Sequence, residues 1–151
     1  MPWFLLRLVL TFVFACVISG VLHELAHWFF FKRYKLPIVE LSFGILRFIN
    51  VNNRLTPIWT FNRPLDFFCA CKGLRGINRH KQIICLLSGG ATNLISAVLP
   101  IVCLLLGIGD NIRLYLYVII TACIINACST MLNPYSADRK ILKKLNKEEN
   151  H

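Results

Sequence analysis

Three long apolar runs, separated by polar stretches, dominate the pattern of this chain. They extend from Phe4 to Phe31, interrupted by Arg7, from Ile83 to Ile108, and from about Leu114 to Leu132. Each reaches the roughly 20 residues that a helix needs to cross a hydrocarbon core about 30 Å thick. The pattern predicts three transmembrane helices, over about 3–31, 82–108 and 112–132.

The connection between the first two runs changes its period after Pro37. Apolar side chains from Val39 to Ile45 alternate with Glu40, Ser42 and Gly44, as in a strand with one buried face. Asn52-Asn53 supplies a turn before a second apolar run over 55–61. We expect a membrane-associated β-hairpin or small sheet over about 37–62, an interfacial, loop-like stretch over 63–81 and a basic tail over 133–151.

Composition strengthens the membrane interpretation. The chain is 56% hydrophobic and 16% charged, with a mean hydropathy of +0.60, which is too apolar for a soluble domain of 151 residues. The first run is longer than the apolar part of a signal peptide and contains ionisable residues, so we expect a retained helix. The fold class predicted is a mainly α membrane protein, forming one domain over 1–151.

The net charge of +10 raises the alternative of nucleic-acid binding, so the positions of the basic residues matter. Ten of the seventeen Lys and Arg residues lie within 32–81 and five lie after Leu132, with Arg7 and Arg113 elsewhere. By the positive-inside rule, the long connection and the C-terminus are cytoplasmic, and the N-terminus and the 109–113 turn are outside. Topology and anionic lipid explain the surplus, and we expect a multi-pass protein of the cell membrane with no nucleic-acid partner.

Seven cysteines raise the alternative of a disulfide scaffold. Five of them lie within or beside the apolar runs, where small buried thiols are common. Cys69 and Cys71 have no second pair at the spacing of a zinc ribbon. We expect the cysteines to be reduced and structural.

The first apolar run contains the motif H-E-x-x-H at His23, Glu24 and His27. On a helix, imidazoles at i and i+4 lie on one face and can bind one metal ion. A zinc ion at such a site lowers the pKa of a bound water molecule, and the glutamate takes its proton and delivers it to the leaving amine. Ionisable residues inside a membrane helix are costly, which favours a functional role. The alternatives are a polar cluster that bridges helices, or a proton relay.

A catalytic zinc usually has three protein ligands, so a third must come from elsewhere in the chain. Asp110 lies on the opposite side of the predicted membrane, three candidates lie in the terminal tail, and Glu40, Asp66 and His80 lie in the cytoplasmic connection. Asp138 directly follows a helix that ends on the cytoplasmic side, which makes it the best candidate. The chain after Asn133-Pro134 must turn back toward the histidines for this to work. The alternative is an ordinary interfacial aspartate.

The chain resembles the site-2 protease family of intramembrane zinc metalloproteases. The resemblance rests on three segments in the family's order: HELAH over 23–27, SGGATN over 88–93 and NPYSAD over 133–138. It implies a minimal three-helix core in which His23, His27 and Asp138 bind Zn2+ and Glu24 is the catalytic base. It also implies that Asn93 forms hydrogen bonds near the active site or the substrate backbone.

The third motif departs from the family pattern. Ala137 precedes Asp138, Arg139 follows it in place of glycine, and the proline is displaced. Asn126 is either a remnant of this motif's asparagine or an amide that bridges helices. The strand-like segment resembles the family's β-loop, whose exposed edge would pair with an extended substrate.

The function predicted is a zinc-dependent endopeptidase that cuts a transmembrane or membrane-associated substrate near the cytoplasmic leaflet. Because the turn between helices two and three leaves no room for a regulatory domain, control would come from a membrane partner or from substrate supply. One rival is an inactive relative that binds membrane proteins as a scaffold, which the displaced third motif favours. The other is a small transporter or channel subunit, which would predict ionisable residues throughout the membrane depth. The central parts of helices two and three contain none.

Overall fold

The protein is mainly helical, with one small antiparallel sheet inserted between its first two helices. The computed structural model describes residues 2–52, 54–62, 66–108 and 112–132. The elements in chain order are α1 (Pro2–Arg33), β1 (Ile38–Phe43), β2 (Leu46–Val51), β3 (Arg54–Trp59), β4 (Phe67–Cys71), a short 3-10 helix (Leu74–Gly76), α2 (Arg79–Leu105) and α3 (Arg113–Leu132). The tail over 133–151 lies outside the described residues.

All three helices are long and apolar enough to cross a membrane, as the sequence predicts. Each of them packs against the other two. Their outer surfaces carry large apolar side chains, and Trp3, Phe14, Leu99 and Leu105 are between 66% and 80% exposed. So many exposed large apolar side chains are unusual for a soluble monomer.

The predicted antiparallel sheet is confirmed, but it has four strands in the order β3-β2-β1-β4. The alternating segment does not form one strand, because Gly44 adopts a φ of 66° and starts a two-residue turn in which Phe43 pairs with Leu46. Glycine reaches this conformation without steric cost. The turn expected at Asn52-Asn53 begins at Asn52, whose φ is 52°.

The stretch over 63–81 was expected to be loop-like, and this expectation is wrong for most of its described residues. Residues 67–71 form β4, which pairs with β1, and Asn78 caps the N-terminus of α2 by accepting a hydrogen bond from the His80 backbone N–H at 2.9 Å. The residues of β4 are all half-buried, so their sequence shows no alternation of polar and apolar positions. Because of this cap, helix α2 begins at Arg79 instead of about 82. It ends at Leu105 instead of about 108.

The sheet lies alongside the C-terminal half of α1. At one end, Phe31, Leu36, Ile38 and Cys85 form a buried cluster against which Cys71 packs. At the other end, Phe67 contacts Gly20. Strand β4 therefore extends from the C-terminal end of α1 past the level of His27 and His23.

Candidate metal centre

The polar side chains of the H-E-x-x-H motif are buried. His23, Glu24 and His27 are 5%, 6% and 4% exposed, although most of α1 presents apolar residues outward. Ser19 lies one turn before His23 and is also buried. The four residues therefore form a polar stripe on the face of α1 that packs against the rest of the protein.

The two imidazoles converge on one point. Nε2 of His23 lies 3.1 Å from Nε2 of His27, and the ring planes are 76° apart. Two imidazole nitrogens bound to one tetrahedral zinc, each at about 2.0–2.1 Å, would lie roughly 3.3 Å apart. Oε1 of Glu24 lies 4.0 Å from Nε2 of His23. The pair thus fits a zinc ion, with a carboxylate beside it.

The orientation of His27 is fixed by α2. Its Nδ1 lies 2.7 Å from the carbonyl oxygen of Cys85, which can only accept, so Nδ1 carries the proton and Nε2 keeps its lone pair. Ser88 also donates to this carbonyl, at 2.9 Å. A backbone carbonyl behind a histidine is the usual way in which proteins orient a metal ligand.

His23 is held by an amide from α2. Its Nδ1 lies 3.3 Å from Nδ2 of Asn93, and Ser19 donates a hydrogen bond to Oδ1 of Asn93 at 2.9 Å. In this amide orientation Asn93 donates to Nδ1, so the proton of His23 is on Nε2. If the amide is rotated by 180°, Nδ1–H of His23 donates to Oδ1 and Nε2 carries the lone pair, which is the form that binds a metal ion.

Gly89 provides the space for the His23 ring. A Cβ atom at this position would lie 2.5 Å from Nε2 and 2.6 Å from Nδ1 of His23, closer than van der Waals contact allows. The imidazole therefore rests directly on the backbone of α2. The small residues at the start of α2 serve this close approach of the two helices.

A cavity of about 380 Å3 opens beside the two site residues His23 and Glu24. Its walls come from α1, from α3, from Asn93 of α2 and from Phe67 of β4. Asn126 lines it and joins α3 to α1, because its Nδ2 donates to the carbonyl oxygen of Cys16 at 3.2 Å. This contact gives Asn126 the helix-bridging role that was one of its two alternatives.

The predicted third ligand, Asp138, lies outside the described residues. Among the residues that the structure describes, no three His, Cys, Asp or Glu side chains gather in a group suited to a metal ion. Glu40 and Asp66 form ion pairs with Arg47, with N–O distances of 3.0 and 3.8 Å, on the sheet. His80 is in the first turn of α2, where its backbone N–H bonds to the Asn78 cap.

Sequence reasoning missed three contributors to the site. They are Ser19, the Cys85 carbonyl and Phe67. Ser19 could have been found from its position four residues before His23, which puts it on the same helix face. The other two could not, because a backbone carbonyl has no signature in the sequence and the position of Phe67 depends on the pairing of β4.

Comparison with known proteins adds no relative to this description. No family model, no characterised protein and no solved structure matches the chain.

Proposed function

We propose that the protein is a zinc-dependent endopeptidase embedded in the membrane. The observation that carries the proposal is the 3.1 Å separation of the two Nε2 atoms of His23 and His27, with Glu24 beside them. All three side chains are buried in a helix whose outer surface is apolar. The same 3.1 Å suits a hydrogen bond from Nε2–H of His23 to Nε2 of His27, so zinc binding requires the His23 tautomer with its proton on Nδ1.

Zinc held by His23, His27 and a third ligand, for which we propose Asp138, would act as a Lewis acid on a substrate carbonyl and lower the pKa of a water molecule. The Glu24 carboxylate accepts the proton at Oε1 and delivers it to the leaving amine. Asn93 is 1% exposed and engaged with Ser19 and His23, so its role is to position His23.

Strand β4 offers a way to bind an extended substrate. Within the described residues β4 pairs only with β1, and we propose its other edge as the place where an extended substrate adds as a strand. Burial raises the pKa of the Cys69 thiol of β4, and the charge of the Glu24 carboxylate raises it further. A substrate strand on this edge would pass near the base that acts on it.

The proposed orientation follows from charge. Lys32 and Arg33 end α1, and Arg79 and Lys81 begin α2, so these basic residues share one side of the helix bundle. Arg113 begins α3 on the opposite side. By the positive-inside rule, the sheet and the end of α3 face the cytoplasm.

The experiment compares the wild-type protein with the Glu24→Gln variant in detergent, using a set of membrane peptides. We expect about one zinc per chain in both proteins and cleavage by the wild type only, because zinc binding needs the histidines and proton transfer needs the carboxylate. Glu40→Gln, which removes a carboxylate from the sheet, is the matched control and should still cleave.

Equal cleavage by wild type and Glu24→Gln would refute the mechanism. Zinc binding without cleavage of any peptide would favour the scaffold alternative. A protein that binds no zinc at all would refute both.

A further inference from the structure

Phe67 and Gly20 together form one wall of the cavity beside the candidate metal centre. Gly20 lies one turn before His23, so both are on the same face of α1. The Phe67 ring lies flat on Gly20, with three ring carbons 3.3–3.5 Å from where a Cβ atom would be. The absence of a side chain at residue 20 therefore lets the ring sit against the helix.

The interior of this cavity is mainly apolar, and the cavity adjoins the candidate metal centre. Val13, Val17 and Phe12 line it on α1, and Glu24 and His23 border one end. Its volume of about 380 Å3 is within the range of ligand pockets and exceeds that of one bulky apolar side chain. It is too small for a whole helix of a substrate.

A second cavity of about 350 Å3 provides a comparison. It lies between α1, α2 and α3 and is lined by residues such as Leu22, Pro100 and Cys123. Neither His23, Glu24 nor His27 borders it. Only the first of these two cavities can receive a group attached to a chain that is being cut at the metal centre.

We propose that the first cavity is the subsite for a bulky apolar side chain next to the scissile bond, and that Phe67 and Gly20 set the size it accepts. The inference rests on the proposed endopeptidase function. A leucine or phenylalanine side chain entering from the substrate would be buried against Val17 and Phe67 while its backbone carbonyl lies at the metal centre. Because lipid is as apolar as this cavity, the selectivity comes from van der Waals packing and fit, not from transfer out of water.

The test uses one cleavable membrane peptide in which the residues flanking the cut are changed in turn to Ala, Leu, Phe and Trp. Phe67→Ala enlarges the cavity and should raise the ratio of kcat/KM for Trp over Leu about tenfold. Gly20→Ala pushes the ring inward and should lower the ratio for Phe over Ala by a similar factor. Phe68→Ala is the matched control, because Phe68 is the next residue of β4 but contacts Arg47 instead of the cavity, and it should leave both ratios unchanged.

A binding measurement separates this inference from the proposed function. In the Glu24→Gln variant, bound peptides should protect Cys16, which lines the cavity, from N-ethylmaleimide, with Phe and Leu peptides protecting better than Ala. Cys128, which is exposed and does not line the cavity, is the reference.

Cleavage by wild type with size preferences unaltered in Phe67→Ala and Gly20→Ala would overturn the subsite and leave the endopeptidase standing. Size-dependent protection of Cys16 without cleavage by wild type would support the binding cavity and refute the endopeptidase.

Discussion

At the scale of single residues, the candidate site depends on contacts behind the two histidines. His27 is fixed by the Cys85 carbonyl, and His23 by Asn93 and Ser19. The His23 ring also rests on Gly89. All but one of these partners belong to α2, so α2 determines how the two imidazoles of α1 are oriented.

The contact at Gly89 makes a direct prediction. Gly89→Ala would place a methyl group inside the His23 ring, and relieving the overlap should cost about 1–3 kcal/mol and turn the imidazole away from its partner. We expect zinc per chain, measured by atomic emission, to fall well below that of wild type. Gly76→Ala is the control, because a Cβ atom there meets nothing within 4 Å. Normal zinc content in Gly89→Ala would show that the ring does not depend on this space.

Ser19 gives a second prediction at this scale. Ser19→Ala removes the hydroxyl beside the Asn93 amide; when the amide is rotated so that Oδ1 accepts from Nδ1–H of His23, this hydroxyl would accept from Nδ2 and hold the amide there. Changes behind a metal ligand typically cost 10–100-fold in affinity, and we expect zinc to bind about tenfold more weakly. Competition with a chelator measures this. Ser96→Ala, whose hydroxyl bonds within its own helix to the Thr92 carbonyl, should bind zinc as wild type does. An equal loss in both variants would point to a general loss of helix packing.

Part of this candidate site could be predicted from the sequence, and the parts that could not be predicted have physical causes. Spacing i, i+4 is enough to place His23 and His27 on one face, and apolar runs are enough to locate three helices. The Cys85 carbonyl contacts a histidine 58 residues away in sequence, and Ser19, although its helix face was predictable, acts on His23 only through Asn93. Such contacts arise from packing of α1 on α2, which a one-dimensional pattern does not contain.

At the scale of elements, β4 is the part that the pattern failed to predict. Phe67–Cys71 is half-buried throughout, with α1 near one face, so polar positions are missing and its period cannot be recognised. The turn at Gly44 was missed because the alternation of residues continues through it. By contrast, the turn at Asn52 could be predicted from the sequence, because asparagine tolerates the left-handed conformation that it adopts here.

The thiols of β4 provide a prediction about pH. Burial raises the pKa of Cys69 to about 12 and that of Cys71 to about 11, from an ordinary value of 9.0, and for Cys69 the Glu24 carboxylate adds to the effect. The folded protein therefore holds these protons more tightly than the unfolded chain. Its stability should be unaffected below about pH 9 and should fall as the pH rises from there toward 11–12.

The rate at which the two thiols are alkylated tests their raised pKa values. At pH 8 both thiols should react slowly with iodoacetamide in the folded protein and readily after unfolding in SDS, because only the thiolate is the nucleophile. Peptide mapping by mass spectrometry reads the two sites separately. Rapid modification of Cys69 in the folded protein at pH 8 would contradict the burial of β4 beside α1.

At the scale of the whole molecule, the three apolar helices and the basic residues beside the sheet bear on the orientation that we propose. Three membrane crossings would place the two chain ends on opposite sides, and the basic residues at the end of α1 and the start of α2 favour the cytoplasm for the sheet. With epitope tags at both ends, protease added to sealed right-side-out vesicles should remove the N-terminal tag and leave the C-terminal one. Removal of both tags, or of the C-terminal tag alone, would contradict the proposed topology.

The histidines lie on α1 and most of the groups that orient them lie on α2, and this separation has a consequence for how the protein matures. His23 and His27 are synthesised early, but Asn93 and Cys85 follow 70 and 58 residues later. A nascent chain that has released only its first helix thus lacks the groups that orient the imidazoles, and the zinc binding that we propose would have to wait for the pairing of α1 with α2. A synthetic peptide over 1–36 should accordingly bind zinc far less tightly than the complete protein, and zinc uptake would then report that the helices have assembled.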